Sequence, residues 1–81
     1  MNQGKIMEEE QSAKEWFELG QYHVSLNNLR NAIESYQNCI ERDAYHHKAW
    51  SNLGAIYFQL KDYEKSKNCS RNALMIEPTD P

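Results

Sequence analysis

Residues 50–54 read Trp50-Ser51-Asn52-Leu53-Gly54 (WSNLG), and residues 16–20 read Trp16-Phe17-Glu18-Leu19-Gly20 (WFELG). Both stretches lie where apolar residues recur at helical spacing, and a glycine inside a helix costs about 1 kcal/mol relative to alanine. An unfavourable residue placed twice at the same point of the same pattern implies a repeated unit that needs its backbone bare there.

Sliding the chain by 34 residues sets Lys14 on Lys48, Trp16 on Trp50, Leu19 on Leu53, Gly20 on Gly54, Leu26 on Leu60 and Asn38 on Asn72. Looser correspondences run alongside: His23 with Tyr57, Val24 with Phe58, Leu29 with Tyr63, Ala32 with Ser66, Cys39 with Ala73 and Ile40 with Leu74. A fixed period of this length marks stacked supersecondary units. Two such units fit, over 13–46 and 47–80.

Within each unit the apolar period is helical. Trp50, Leu53, Tyr57 and Leu60 share one stripe, as do Trp16, Leu19, His23 and Leu26. Ser12 with Glu15 has the spacing of a capping box before the first helix. Asn28 and Asp62 are placed to cap the second helix of each unit. Those second helices carry Leu29, Ala32, Ile33, Tyr36, Cys39 and Ile40 in one unit, and Tyr63, Ser66, Ala73 and Leu74 in the other. Pro78 stops the last helix. Each unit thus reads as two antiparallel helices joined by a tight turn. Gly20 is expected to face the small residues Ala32 and Cys39, and Gly54 to face Ser66 and Ala73, at close crossings.

Composition narrows the function classes. The 81 residues give one small domain with net charge −3, both signs being mixed along the chain. Nucleic acid and anionic membranes call for clustered Lys and Arg, which are absent, so neither is an expected partner. No apolar run approaches the length of a transmembrane helix, and no secretory signal is expected at the N-terminus. Cys39 and Cys69 are too few for a disulfide scaffold and read as apolar fillers in a reducing, intracellular (cytoplasmic) protein. The histidines His23, His46 and His47 lack zinc-site spacing: His23 reads as a core position, and His46 and His47 as a surface turn. No metal, cofactor or catalytic residue is expected, because no motif arranges Ser, Cys and His for nucleophilic chemistry and no glycine loop cradles phosphate.

These residues resemble the tetratricopeptide repeat (TPR) family, whose pattern over 34 residues runs Trp, Leu-Gly, Tyr, Ala, an aromatic, Ala and Pro. The second unit matches with Trp50, Leu53, Gly54, Tyr57, Ala73 and Pro78; it departs with Ser66 at an Ala place and Ser70 at an aromatic place. The first matches with Trp16, Leu19, Gly20, Ala32 and Tyr36; there His23 replaces Tyr, Cys39 replaces Ala and Ala44 replaces Pro. The resemblance covers about 13 to 80. It implies an all-α fold, two helix-turn-helix units stacked as a short right-handed α-solenoid. Residues 1–12 lie outside it, either as a tail or as a backward extension of the first helix.

The family's usual work is binding proteins, on a concave face formed by the first helix of each repeat. Carried over by position, that face comprises Lys14, Phe17, Glu18, Gln21, Val24 and Ser25 from the first repeat. From the second come Lys48, Ser51, Asn52, Ala55, Phe58 and Gln59. The resemblance implies a non-catalytic adaptor or scaffold that binds a peptide or partner helix. Asn52 would hydrogen-bond the ligand backbone, and Phe17 and Phe58 would give apolar pockets. A clamp for acidic chaperone tails is not expected: its Lys place holds Phe17, its first Asn place holds Gln21, and only Asn52 matches.

Repeat count raises an alternative. Three or more repeats with a polar cap are normally needed, and two are present. The last helix is expected to expose Tyr63, Leu74 and Ile76, with Lys67 where the first repeat has Ile33 and Ser70 where it has Tyr36. The face around Tyr63, Lys67 and Leu74 would then dock another TPR unit, by self-association, with another subunit, or within a longer array.

Overall fold

The computed structural model describes residues 11–78. They form four helices and no strand: α1 Ala13–Ser25, α2 Leu29–Arg42, α3 His47–Gln59 and α4 Tyr63–Ile76. Helices α1 and α2 make one hairpin and α3 and α4 the other, with α2 and α3 forming the main seam between them. The fold is all-α, two helix-turn-helix units side by side.

The helix starts follow local chemistry. Ser12 is extended, and its Oγ accepts the Glu15 N–H while a Glu15 carboxylate oxygen accepts the Ser12 N–H, a complete capping box. Helix α1 therefore begins at Ala13; the expectations for residues 1–10 lie outside the described residues. Asp62 caps α4 through the Lys65 N–H. Asn28 occupies the N-cap of α2, but its side chain makes no capping bond. Sequence reading missed the α3 cap: His46 Nδ1 accepts the Ala49 N–H at 3.2 Å. His46 is half-buried and stacks on Phe17 at 4.7 Å between ring centroids, so it is part of the packing and not simply a surface turn.

Both hairpin turns have the same geometry. In the first, the Asn27 N–H reaches Val24 O and the Asn28 N–H reaches His23 O, each at 2.8 Å. In the second, the Lys61 N–H reaches Phe58 O at 2.9 Å and the Asp62 N–H reaches Tyr57 O at 2.8 Å. These are Schellman motifs, which require a left-handed residue. Asn27 supplies it at φ 58° and Lys61 at φ 67°. Asparagine tolerates that conformation better than lysine. Lys61→Gly is therefore expected to raise stability by about 1 kcal/mol, read as an upward shift of the urea midpoint. A midpoint that falls would show that the turn does not depend on that backbone geometry. The same turns move Leu26 and Leu60 off the apolar stripe: as C-caps they are 57% and 52% exposed, against the expectation that they continue it.

The core centres on Trp16, Ala32, Tyr36, Cys39, Ala49, Leu53, Ile56, Tyr57 and Cys69. Helix α3 is buried on two sides, having the seam on one and α4 on the other. Ala49 and Ile56 are therefore core although they fall outside the Trp50/Leu53/Tyr57 stripe. The tryptophans occupy related niches: Arg42 lies over the Trp16 ring, and its counterpart Ile76 lines a hollow with Trp50. Trp50 Nε1 donates to Ala44 O at 3.0 Å, and Ile76 is half-buried rather than exposed.

The glycines have a reason to be bare, though not the expected one for Gly20. A Cβ on Gly20 would meet the Tyr36 ring, 2.6 Å from Cδ1 and 2.8 Å from Cζ, so the neighbour is an aromatic face and not Ala32 or Cys39. Gly54 lies against Ser66, Cys69 and Ser70, and the buried Ser66 hydroxyl donates to Gly54 O at 2.8 Å. The serine at the usual alanine place thus ties α4 to α3 directly.

Candidate functional site

Helix periodicity aligns Gln21 and Val24 on α1, and Asn52, Ala55, Ile56 and Gln59 on α3. Those two faces, with Tyr36 as floor, enclose a hollow of about 320 Å³. Tyr36 is almost fully buried, and Asn52 Nδ2 donates to its hydroxyl at 3.2 Å. That bond fixes the Asn52 amide and leaves its carbonyl oxygen and second N–H for a ligand. The lining carries three amide side chains, apolar Val24, Ala55 and Ile56, and no charge. Such a surface matches a peptide backbone better than a carboxylate tail, since an anion entering it meets no cation.

Five of the residues selected from sequence line this hollow: Gln21, Val24, Asn52, Ala55 and Gln59. The others lie elsewhere. Phe17 packs into the seam, 5.7 Å from the Tyr36 ring. Lys14 and Glu18 are exposed and paired at 3.9 Å, and Lys48 and Ser25 are exposed. Ser51 lines a separate hollow with His47, Ser70, Ala73 and Leu74. Phe58 is 62% exposed and meets Tyr63 edge-on at 5.3 Å, at the outer end of the second hairpin. Tyr63, Lys67 and Leu74 are all exposed on α4.

Sequence reading missed an outer cleft of about 600 Å³ between α2 and α4, walled by Ile40, Trp50, Leu53 and Tyr57. Gln37 Nε2 donates to the Tyr57 hydroxyl at 3.3 Å across it, and Lys65 Nζ lies over the Tyr57 ring. Its walls read in sequence as ordinary core positions, and the gap arises from how far apart α2 and α4 stand, which no local pattern encodes.

Two thiols and one phenol of the interior are held in their neutral forms. Burial pushes the Cys39 thiol up to about 11, and nearby Asp43 adds to the effect. Burial raises Cys69 as well. The Tyr36 phenol is raised by burial, with the Asn52 hydrogen bond pulling the other way and Cys39 adding to the rise. A buried, protonated thiol is a packing group, since the thiolate is the nucleophile. Among the described residues no three His, Cys, Asp or Glu side chains gather as a metal site, and no helix is long and apolar enough to cross a membrane.

Comparison with known proteins agrees with this architecture. Tetratricopeptide repeat family models match residues 13–46 and 47–80. The chain is also similar to a Saccharomyces cerevisiae protein, "Essential for maintenance of the cell wall protein 1", with 27% identity over 66 residues. That match covers 82% of this chain and spans 7% of the yeast protein's length. Two hairpins of one design, family matches over both, and a bare glycine at the same place in each lead to one conclusion: the chain belongs to the tetratricopeptide repeat family, a non-catalytic fold whose repeats generally mediate protein–protein interaction.

Proposed function

We propose that the hollow between α1 and α3 holds an uncharged stretch of a partner polypeptide, and that the chain serves as an adaptor or scaffold. The observation that carries this reading is the Tyr36–Asn52 hydrogen bond, which pre-orients an amide at the centre of a neutral hollow. A ligand backbone can then exchange hydrogen bonds with Asn52, Gln21 and Gln59 without first ordering the central one, which lowers the cost of association. Val24, Ala55 and Ile56 give a shallow apolar bed for small side chains. The neutral lining also weighs against an acidic tail as ligand.

Peptides selected from a random library against the intact chain, followed by amide chemical-shift mapping, test this. Binders are expected to perturb Gln21, Val24, Asn52, Ala55 and Gln59. The combined change Gln21→Ala, Asn52→Ala and Gln59→Ala removes three hydrogen-bonding side chains, each worth about 0.5–1.5 kcal/mol. It is expected to weaken binding at least about tenfold with the helical spectrum unchanged. Selected peptides that instead shift Gln37, Trp50 and Lys65, and bind the triple variant normally, would place the site in the outer cleft.

A further inference from the structure

The first hairpin shows how this chain receives a helix, and the second presents the same face with nothing on it among the described residues. In the seam, Phe17 meets His46, Tyr36 meets Asn52 and Gln37 meets Tyr57. Shifted by one repeat, Phe17 becomes Ser51, Tyr36 becomes Ser70 and Gln37 becomes Arg71. Ile33, one turn before Gln37, becomes Lys67. Two large rings have become two serines, which leaves a hollow of about 250 Å³ beside the exposed Leu74. Two neutral side chains have become exposed cations. The end face of α3 and α4 therefore suits a helix that is bulkier and more acidic than α3.

Helix α1 has those properties on the corresponding face. The buried Ala49 and Ile56, which flank the docking Asn52 on α3, and Asn52 itself correspond to Glu15, Tyr22 and Glu18. All three are exposed, Tyr22 at 58%. An alanine, an amide and an isoleucine are thus exchanged for two carboxylates and an aromatic. The sign and size of the change complement the one on the receiving face. Existing partners do not prevent the exchange. The Lys14–Glu18 pair is solvent-exposed at 3.9 Å, the kind of pair worth little. Glu15 can keep its capping bond to the Ser12 N–H through one oxygen and offer the other.

We infer that the end face of the second repeat, around Ser51, Ser70, Lys67 and Arg71, seats the α1 face of a second copy of this chain, so that copies stack head to tail. The contact is heterologous: each copy has one donor and one receiver face, so the assembly does not close at two. It uses a different surface from the proposed peptide hollow, and each reading stands or falls alone.

Weight-average mass by sedimentation and light scattering, over a concentration series up to millimolar, tests the inference on the full chain. The mass is expected to pass the dimer value as concentration rises and to fall back when salt screens the charges. Lys67→Glu with Arg71→Glu blocks the receiver face, and Glu18→Lys with Tyr22→Lys blocks the donor face. Each blocked chain is expected to remain monomeric with an unchanged helical spectrum, while their mixture forms a heterodimer and stops there. A wild-type chain that stays monomeric throughout overturns the inference, as does a mass that levels at the dimer or blocked chains that do not pair. Association that appears only after residues 1–10 are deleted also overturns it, that segment then being the occupant of the α1 face.

Discussion

Tyr36→Ala is expected to remove a large share of the folding free energy. Truncating a large buried aromatic costs about 3–5 kcal/mol, and a chain of this length holds on the order of 4–12 kcal/mol in total. Tyr36 is 1% exposed and ties α1 and α3 together through α2: its ring covers Gly20, stands 5.7 Å from Phe17, and its hydroxyl accepts from Asn52. Tyr36→Phe keeps the ring and loses only the hydrogen bond, worth about 1 kcal/mol. Urea unfolding followed by circular dichroism distinguishes them. The alanine variant should lose its cooperative transition or unfold at far lower urea, and the phenylalanine variant should shift modestly. Equal effects would mean that the hydroxyl, and not the ring, holds the two repeats together.

The second large effect separates two glycines that look alike in sequence. Alanine gains about 1 kcal/mol of helix propensity at either site. At Gly20 the new methyl would overlap a ring fixed by burial, by Phe17 and by the Asn52 bond, so the ring cannot swing clear. Overpacking of this kind costs about 1–3 kcal/mol, and with a ring this tightly held the upper part of that range applies, so a net loss of about 1–2 kcal/mol is expected for Gly20→Ala. At Gly54 the nearest atoms are Ser66 O and Ser70 Oγ at 3.3 Å and Cys69 Cβ at 3.4 Å. A shift of α4 by a few tenths of an ångström accommodates that, so Gly54→Ala is expected to stay within about 1 kcal/mol of wild type. Combining Gly20→Ala with Tyr36→Ser should make the two mutations couple favourably, because the serine removes the ring that the methyl strikes. A Gly20→Ala protein as stable as the Gly54→Ala protein would show that the close approach is not as tight as described.

The helices and their order were legible because each is signalled locally: the period, Ser12 with Glu15, and Asp62. What sequence did not disclose depends on partners distant along the chain. Gly20 was assigned small neighbours because the second helix carries small residues at regular places. The aromatic Tyr36, one turn from Cys39, fills the crossing instead, and only the three-dimensional approach of α1 to α2 decides that. Ala49 and Ile56 escaped the core assignment because one apolar stripe was sought on a helix that is covered from two directions. Leu26 and Leu60 were assigned to the stripe by spacing alone, whereas the left-handed Asn27 and Lys61 end the helices one residue earlier.

The candidate site was legible in part for the same reason. Position within the repeat brought Gln21, Val24, Asn52, Ala55 and Gln59 to one hollow. It could not say that Phe17 turns into the seam while its counterpart Ser51 lines a separate hollow with Ser70 and Leu74. That difference arises because, among the described residues, the first repeat has the second packed against it, a property of place in the stack and not of the residue. His46 as helix cap and ring partner was missed because histidine is an uncommon N-cap.

The main helix–helix seams, α1 with α2, α2 with α3 and α3 with α4, all join segments adjacent along the chain, through connections spanning only residues 26–28, 43–46 and 60–62. Little loop-closure entropy opposes their formation, which places the chain among rapid folders, in the range of microseconds to milliseconds. During synthesis the leading hairpin has its own turn and capping box complete before the trailing one is made, so assembly can proceed from the ribosome outward in the order of translation.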